Sequence, residues 1–342
     1  TTSARGATPP KFVQRGFKKY LRCGILAFGF ARVRCTSCGD DRLVAFSCKV
    51  RGLCPSCDGK RMTATAAHLV DHVFPRVPVR QFVFTVPYWL RFKIAWNSKL
   101  YSEVHKVFTN TMRVWLRKRA RDLGYADAEV GASCHTHRFG DGLRISPHIH
   151  ALYADGVWCQ EADAPADHPP RFIYLPEPTD EEIAALVRSL HHKVIRRLMR
   201  IGVIRGDSSD DELFALEQPM LARCTSASML DRVAIGEREG ELVWRVRIEG
   251  IDKPPKFKRV SRLCAMYEGF NIHARTTVRA HARDQLERLI RYVARPAVCL
   301  ERLDLLPNGL VRMRLRNAWS DGTVAKIFEA KDAMAKLAIL IP

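Results

Sequence analysis

The 342-residue chain lacks any apolar run near the roughly 18 residues of a spanning helix, and no signal peptide opens it. Membrane insertion and secretion drop out, and a cytoplasmic protein without membrane contact is expected. Acidic residues are also scarce: 36 Asp and Glu stand against 56 Lys and Arg, a formal net charge of +20. A surplus of this size favours polyanionic partners, because each neutralised phosphate releases condensed counterions. Nucleic acid leads, with a merely soluble basic protein as the bland alternative. An even cysteine count is missing too. Eleven cysteines in a Lys/Arg-rich chain without a secretion signal argue against a disulfide framework and for metal binding in a reducing compartment. What is present, 47% hydrophobic residues, suffices for the cores of two or three domains.

Five cysteines crowd one segment. Cys35-Thr36-Ser37-Cys38 and Cys54-Pro55-Ser56-Cys57 are two Cys-x-x-Cys knuckles 15 residues apart, the spacing of a tetrahedral four-cysteine zinc site. The stretch from Arg42 to Ser47 between them is β-like, so a zinc ribbon that needs its metal to fold is expected. Cys48 reads as a substitute ligand or, preferably, as a small buried apolar residue. Cys23, Cys134, Cys159, Cys224, Cys264 and Cys299 read as isolated. Redox chemistry is the competing reading of the knuckles and ranks below zinc.

Beyond the ribbon, periodicity predicts helices over 61–74, 98–123, 179–201 and 283–295, with broken helix over 205–235. Strands are expected at Gln81 to Val86, Glu241 to Ile248 and through Gly269 to Ala274, with a surface loop from Trp158 to Pro178. His68 and His72 stand at i, i+4 without a third ligand and read as surface histidines. Basic runs at Arg117 to Arg121 and Lys253 to Arg262 suit either a solvated face or phosphate contact.

The chemistry concentrates on a hairpin. Strands at 132–139 and 143–153 flank Gly140-Asp141-Gly142, a strong turn signal. His148 and His150 are two apart, so a strand points both imidazoles the same way. With Asp141-Gly142 as a two-residue turn, His135 falls opposite His148 and His137 shares its face. Imidazoles without a thiolate suit Mg2+ or Mn2+ assisted by phosphate oxygens, or a transition ion, acting as a Lewis acid on a phosphate. Tyr292 follows on an amphipathic helix striped by Leu286, Leu289, Ile290 and Val293. In isolation it reads as a boundary residue packing its ring.

Three stretches in this order resemble a known family: the run from Phe46 to Cys57, Arg138-Phe139-Gly140 followed by Ser146 to His150, and Arg291-Tyr292-Val293-Ala294-Arg295-Pro296. They look like the zinc-binding rolling-circle transposases of the HUH superfamily, IS91 type, and the likeness runs from about the ribbon to Pro342. It implies an α+β fold, an HUH endonuclease-like antiparallel sheet flanked by helices and preceded by a small four-cysteine zinc ribbon. It also implies DNA recombination during insertion-sequence transposition. A tyrosine nicks single-stranded DNA, giving a 5′-phosphotyrosine and a free 3′-OH that is later rejoined. Tyr292 carries over as the nucleophile, and His148 and His150 as the pair holding catalytic Mg2+ or Mn2+. His137 stands where relatives often have glutamine and competes with His135 as third ligand. Cys35, Cys38, Cys54 and Cys57 would hold structural Zn2+. Arg288, Arg291 and Arg295, with Lys49, Arg51, Lys60 and Arg61 around the ribbon, are the DNA-binding candidates.

The resemblance divides the chain into an N-terminal segment, 1–78, containing the ribbon at 35–57 and a helix; a catalytic domain, 79–300, with a helical insertion at about 179–235; and a C-terminal segment, 301–342. The chain starts without methionine and ends in mid-apolar pattern, so either end is expected to continue in a longer protein. Many members carry two tyrosines a helical turn apart; here Arg288 fills the earlier position, as in the single-tyrosine common-region (ISCR) branch. Two strand transfers would then need a second subunit of a homo-oligomer, a second turnover or another nucleophile. The expected partner is a single-stranded or hairpin end of a mobile element, in a bacterial, nucleoid-associated setting. Rival readings are a replication-initiator or relaxase-type nickase and a nonenzymatic, decayed zinc-dependent DNA-binding protein.

Overall fold

The computed structural model describes residues 8–160, 168–204, 209–248 and 261–341. Of the basic run at Lys253 to Arg262, residues 253–260 lie outside the described residues, as do 205–208 of the broken helix and 161–167 of the surface loop. The chain opens with α1 (Lys11–Tyr20) and the paired strands β1 (Phe30–Arg34) and β2 (Asp41–Ala45). Pro55, which has no N–H to lose, starts α2 (Pro55–His68); a π-helical turn, Leu69–Val73, carries it on to β3 (Val79–Thr85). After α3 (Tyr88–Trp96), the Asn97 side chain accepts the Leu100 N–H at 2.9 Å and caps α4 (Ser98–Asp122). Five strands follow: β4 (Ala128–Glu129), β5 (Ala132–Phe139), β6 (Ile145–Ala154), β7 (Gly156–Cys159) and β8 (Arg171–Tyr174). β8 and the last two residues of β7 fall within the span expected to be loop, and the two strands pair.

Thr179 and Glu182 form a capping box at the start of α5 (Asp180–Arg200), and α6 (Ser209–Glu217) and α7 (Pro219–Met229) complete the helical insert. The remainder comprises β9 (Trp244–Arg247), β10 (Cys264–Tyr267), β11 (Phe270–His273), β12 (Thr277–Val278), α8 (Arg283–Val293), β13 (Leu303–Leu305), β14 (Val311–Arg314), β15 (Thr323–Phe328) and α9 (Ala330–Ala338).

The fold is α+β with antiparallel sheets. Its main sheet runs β10-β11-β3-β6-β5, with β12 also on β3. Alternation along β6 sorts side chains between two helical layers. Ile149, Ala151 and Tyr153 join Phe82, Phe84 and the apolar stripes of α4 and α5 in one core, where Phe84 stacks on Phe108 at 5.1 Å. Leu152 faces the opposite way and joins Ala66, Leu286, Ile290 and Val293, so α2 and α8 cover that side. His148 and His150 share the Leu152 face, under α8.

A second sheet, β13-β14-β15-β9, joins residues 244–247 to the C-terminal segment, so the boundary drawn at 300 crosses a shared sheet. It grips the histidine hairpin by its turn. Asp141 accepts a hydrogen bond from Arg302 Nη1 at 2.6 Å and from the Arg316 backbone N–H at 2.7 Å, and the fully buried Lys326 Nζ donates to the Gly142 carbonyl at 3.2 Å. Gly142 has φ +69°, and a Cβ there would sit 2.9 Å from the Lys326 side chain. The turn is consequently longer than two residues, closing from Gly140 N–H to Arg144 O at 2.8 Å with a bulge beside Arg138. This corrects the expected register. His137, not His135, lies opposite His148, and His135 lies opposite His150.

Candidate active site and metal centres

Two clusters of metal-ligating side chains form, in different ways. In the N-terminal module the four gathered thiols belong to Cys23, Cys48, Cys54 and Cys57. Sγ separations are 3.7 Å for Cys23 and Cys57, 3.7 Å for Cys48 and Cys57, and 3.6 Å for Cys23 and Cys54. A tetrahedral ion about 2.3 Å from each sulfur would set them about 3.8 Å apart, so this donor set fits Zn2+. Burial pushes the Cys48 and Cys54 thiols up.

Cys54 and Cys57 fall where the knuckle spacing put them; Cys35 and Cys38 do not join them. The second pair occupies the exposed tip of the β1–β2 ribbon, a tight turn closed by Cys35 N–H to Asp40 O at 2.8 Å. Their places are taken by Cys23, expected to be isolated, and Cys48, at the ribbon's base. There Gly24 N–H reaches Phe46 O at 3.1 Å and Cys48 N–H points at Cys23 Sγ at 3.3 Å. The ribbon's own length separates tip from base. At the tip, hydrogen bonds from Ser37 and from the Cys38 backbone lower the Cys35 thiol to about 6.

The thiol cluster is tied to the rest of the chain. Asp58, in the first turn of α2, accepts Gly52 N–H at 2.8 Å and Arg61 Nη1 at 3.0 Å, and Leu53 packs with Val13, Ile339 and Ile341. From there α2 runs along α8, with Arg291 Nη1 reaching Thr63 Oγ1 at 3.4 Å.

On the main sheet, His137, His148 and His150 bring one ring nitrogen each within 4.8 Å of one another. The outer nitrogens are engaged: His137 Nε2 lies 2.6 Å from Val293 O, His148 Nδ1 lies 2.5 Å from Ser146 O, and His150 Nδ1 lies 2.8 Å from the Gln81 side-chain amide. An imidazole that donates one N–H to a carbonyl leaves its second nitrogen as a lone pair, the tautomer a cation needs. His150 Nε2 is buried with no hydrogen-bond partner among the described residues. A buried polar atom left bare in this way fits coordination to a divalent ion. His135 is set apart, its Nε2 3.1 Å from Ser133 Oγ.

Burial, then the neighbouring imidazoles, lowers His137 to about 4 and His150 to about 2; burial also lowers His148. All three are neutral at pH 7 and free to bind a cation. From behind the sheet, the buried Tyr101 hydroxyl of α4 donates toward the carbonyls of His148 (2.8 Å) and His137 (3.0 Å), holding the two strands in step.

Tyr292 lies beside these imidazoles. Its ring stands edge-on to His150 with centroids 5.7 Å apart, and it is 41% exposed, because the stripe of α8 buries Leu286, Ile290 and Val293 and leaves Tyr292 at its margin. Arg295 lies over the same ring at 4.2 Å and Arg316, from the turn between β14 and β15, at 5.1 Å. Arg291 is neutralised by Glu287 at 2.7 Å, and Arg288 is exposed one turn before Tyr292. A groove of about 450 Å³ is lined by His135, His137, Arg295 and Arg302 together with Arg51 and Arg61 of the N-terminal module. Lys49 and Lys60 are exposed nearby in sequence but do not line it.

Sequence reasoning gave no site role to Gln81, Tyr101 or Arg316, and to Asp141 only that of a turn residue. A glutamine inside a buried strand was a usable signal for the first; the others act across long sequence separations.

Comparison with known families gives two matches. A model described as "Transposase zinc-binding domain" matches residues 2–86, and one described as "Putative transposase" matches residues 131–342. No curated protein and no solved structure matches the chain.

Proposed function

Since the chain belongs to the IS91-type transposase family, we propose that it nicks and rejoins single-stranded DNA through a 5′-phosphotyrosine on Tyr292, in transposition of the rolling-circle HUH type. One observation carries this reading: the phenol of a remote helix stands 5.7 Å, centroid to centroid, from an imidazole of a three-histidine cluster. A partly exposed phenol beside bare, neutral ring nitrogens is a poor way to build a core and a good way to build a phosphoryl-transfer site.

A divalent ion such as Mg2+ or Mn2+, held by His137, His148 and His150, would supply Lewis-acid polarisation of the scissile phosphate. The chain's own residues supply the remainder. Tyr292 Oη attacks phosphorus, the O–P bond forms as the P–O3′ bond breaks, and the phenol's proton is balanced by the one the 3′-oxygen gains. Gln81, Ser146 O and Val293 O hold the imidazole rings in place. Because Val293 directly follows Tyr292, the contact between His137 and Val293 fixes helix and hairpin together at the point of attack.

The basic groove gives the strand a path toward the N-terminal module, where Arg51 and Arg61 meet it. No helix among the described residues is long and apolar enough to cross a membrane. With Arg288 a turn before the nucleophile, one chain forms one adduct at a time, and a second transfer calls on a second copy or a second turnover.

The test is a labelled, hairpin-bearing single strand incubated with the zinc-loaded protein and Mn2+, then resolved under denaturing conditions. A covalent adduct is expected for the wild type and none for Tyr292→Phe, with strand binding retained in both. An adduct in Tyr292→Phe would assign the nucleophile elsewhere. Binding without an adduct in the wild type would return the protein to the nonenzymatic reading.

A further inference from the structure

Arginines around the histidine hairpin differ in pairing: Arg91, Arg138 and Arg144 donate hydrogen bonds only to backbone carbonyls among the described residues, and none of them lies over Tyr292. Arg61, Arg291 and Arg302 each have a carboxylate: Asp58 at 3.0 Å, Glu287 at 2.7 Å and Asp141 at 2.6 Å. Arg295 and Arg316 have none among the described residues, and both lie over the ring of Tyr292. Arg295 Nη1 is in addition buried without a hydrogen-bond partner. Two unneutralised cations converging on one phenol repel each other, and an anion placed between them relieves the repulsion.

The placement of Arg316 is built rather than incidental. Its backbone N–H is held by Asp141 at 2.7 Å, Leu315 N–H reaches Val324 O at 2.7 Å, and Trp319 N–H reaches Thr323 O at 2.9 Å. The same Asp141 belongs to the turn of the histidine hairpin. The second sheet thus holds a guanidinium in register with the imidazoles, though more than 160 residues separate it from His148 and His150.

We propose that Arg316, together with Arg295, clamps the phosphoryl group beside Tyr292, which makes Arg316 a catalytic residue delivered by the C-terminal sheet. The identity of the anion as the scissile phosphodiester rests on the phosphotyrosine reading above. The clamp meets the nonbridging oxygens while the O–P bond to Tyr292 forms and the P–O3′ bond breaks; no oxidant, reductant or further reactant is involved. A planar guanidinium suits this because it presents parallel N–H donors to two phosphate oxygens.

Two measurements on the full zinc-loaded chain test the clamp. In the Tyr292→Phe background, fluorescence anisotropy compares a short oligothymidylate carrying a 5′-phosphate with its 5′-hydroxyl twin in Mn2+. The phosphorylated strand is expected to bind about tenfold tighter, and Arg316→Gln to abolish that preference. Arg316→Lys should keep part of it. Arg314→Gln removes the same charge from the same sheet, where Arg314 pairs with Asp304 at 3.3 Å, and should keep all of it. An unchanged preference in Arg316→Gln, or an equal loss in Arg314→Gln, overturns the proposal.

The second measurement is the rate of adduct formation with Tyr292 intact, expected to fall roughly 100-fold in Arg316→Gln, as for loss of one donor to a developing anion. An adduct formed by Arg316→Gln at the wild-type rate sinks the clamp and leaves the phosphotyrosine reading standing. A 5′-phosphate preference that depends on Arg316, in a wild type that never forms an adduct, does the reverse.

Discussion

The two ligand clusters answer opposite needs. Cys23, Cys48, Cys54 and Cys57 form a set of four thiols gathered from a helix exit, a ribbon base and a helix start, the full number for a tetrahedral ion. His137, His148 and His150 come from two adjacent strands, number three, and open toward a phenol and two cations. A closed four-ligand site holds a fold together; an open three-ligand site leaves a coordination position for chemistry. The two are mechanically joined, since the thiols anchor α2, α2 packs on α8, and α8 carries Tyr292.

The largest expected effect tests the closed cluster. Cys48→Ser should lose the bound zinc, measured by native mass spectrometry, together with cooperative melting of the N-terminal module. Cys35→Ser and Cys38→Ser should keep the four-thiol ion. Zinc retained in Cys48→Ser and lost in Cys35→Ser would restore the knuckle pairing read from spacing.

The next effect tests the open cluster. Mn2+ at 100 times its dissociation constant is expected to stabilise the wild type by about 2.7 kcal/mol, the linkage value for a ligand bound only by the folded state. His148→Ala should lose that shift in thermal melts while its zinc stays bound. If His148→Ala melts with the same Mn2+ shift, the ion binds elsewhere.

The smallest effect concerns pH. Burial, followed by the His148 charge, holds His137 at about 4 against its ordinary 6.5. Between those values the unfolded chain binds a proton that the folded chain does not, so stability falls as pH drops through 6.5 toward 4. His137→Phe removes this proton and should flatten that part of the metal-free stability profile relative to the wild type. Zinc loss at low pH is common to both proteins and cancels in the difference. Parallel profiles would mean that His137 is protonated in the fold.

Much of this was legible in the residues. The helices of 98–122, 180–200 and 283–293 follow their apolar stripes, and Asn97 and Thr179 cap where polar residues precede such stripes. That the histidines share a face followed from the two-residue period of a strand, whichever register formed. The register did not follow, because Arg302, the Arg316 backbone and Lys326 lengthen the turn that Asp141 and Gly142 would otherwise make. The cysteine spacing announced a metal site but could not say which end of the ribbon holds it. Tyr292 drew notice through the histidine pair that precedes it and through resemblance, and its role as nucleophile is a proposal, since a phenol at the margin of an amphipathic stripe usually just packs.

By itself, the sequence determined the local periods: which residues are helical, which alternate, which faces are apolar, and that the surplus charge is positive. Those properties depend on neighbours within a few residues and are fixed by backbone geometry and solvation. Only the tertiary structure decided which thiols meet, which imidazoles are opposite each other and which arginines go without a carboxylate. Each of those depends on where distant segments come to rest when several cores close at once, and no spacing along the chain encodes it.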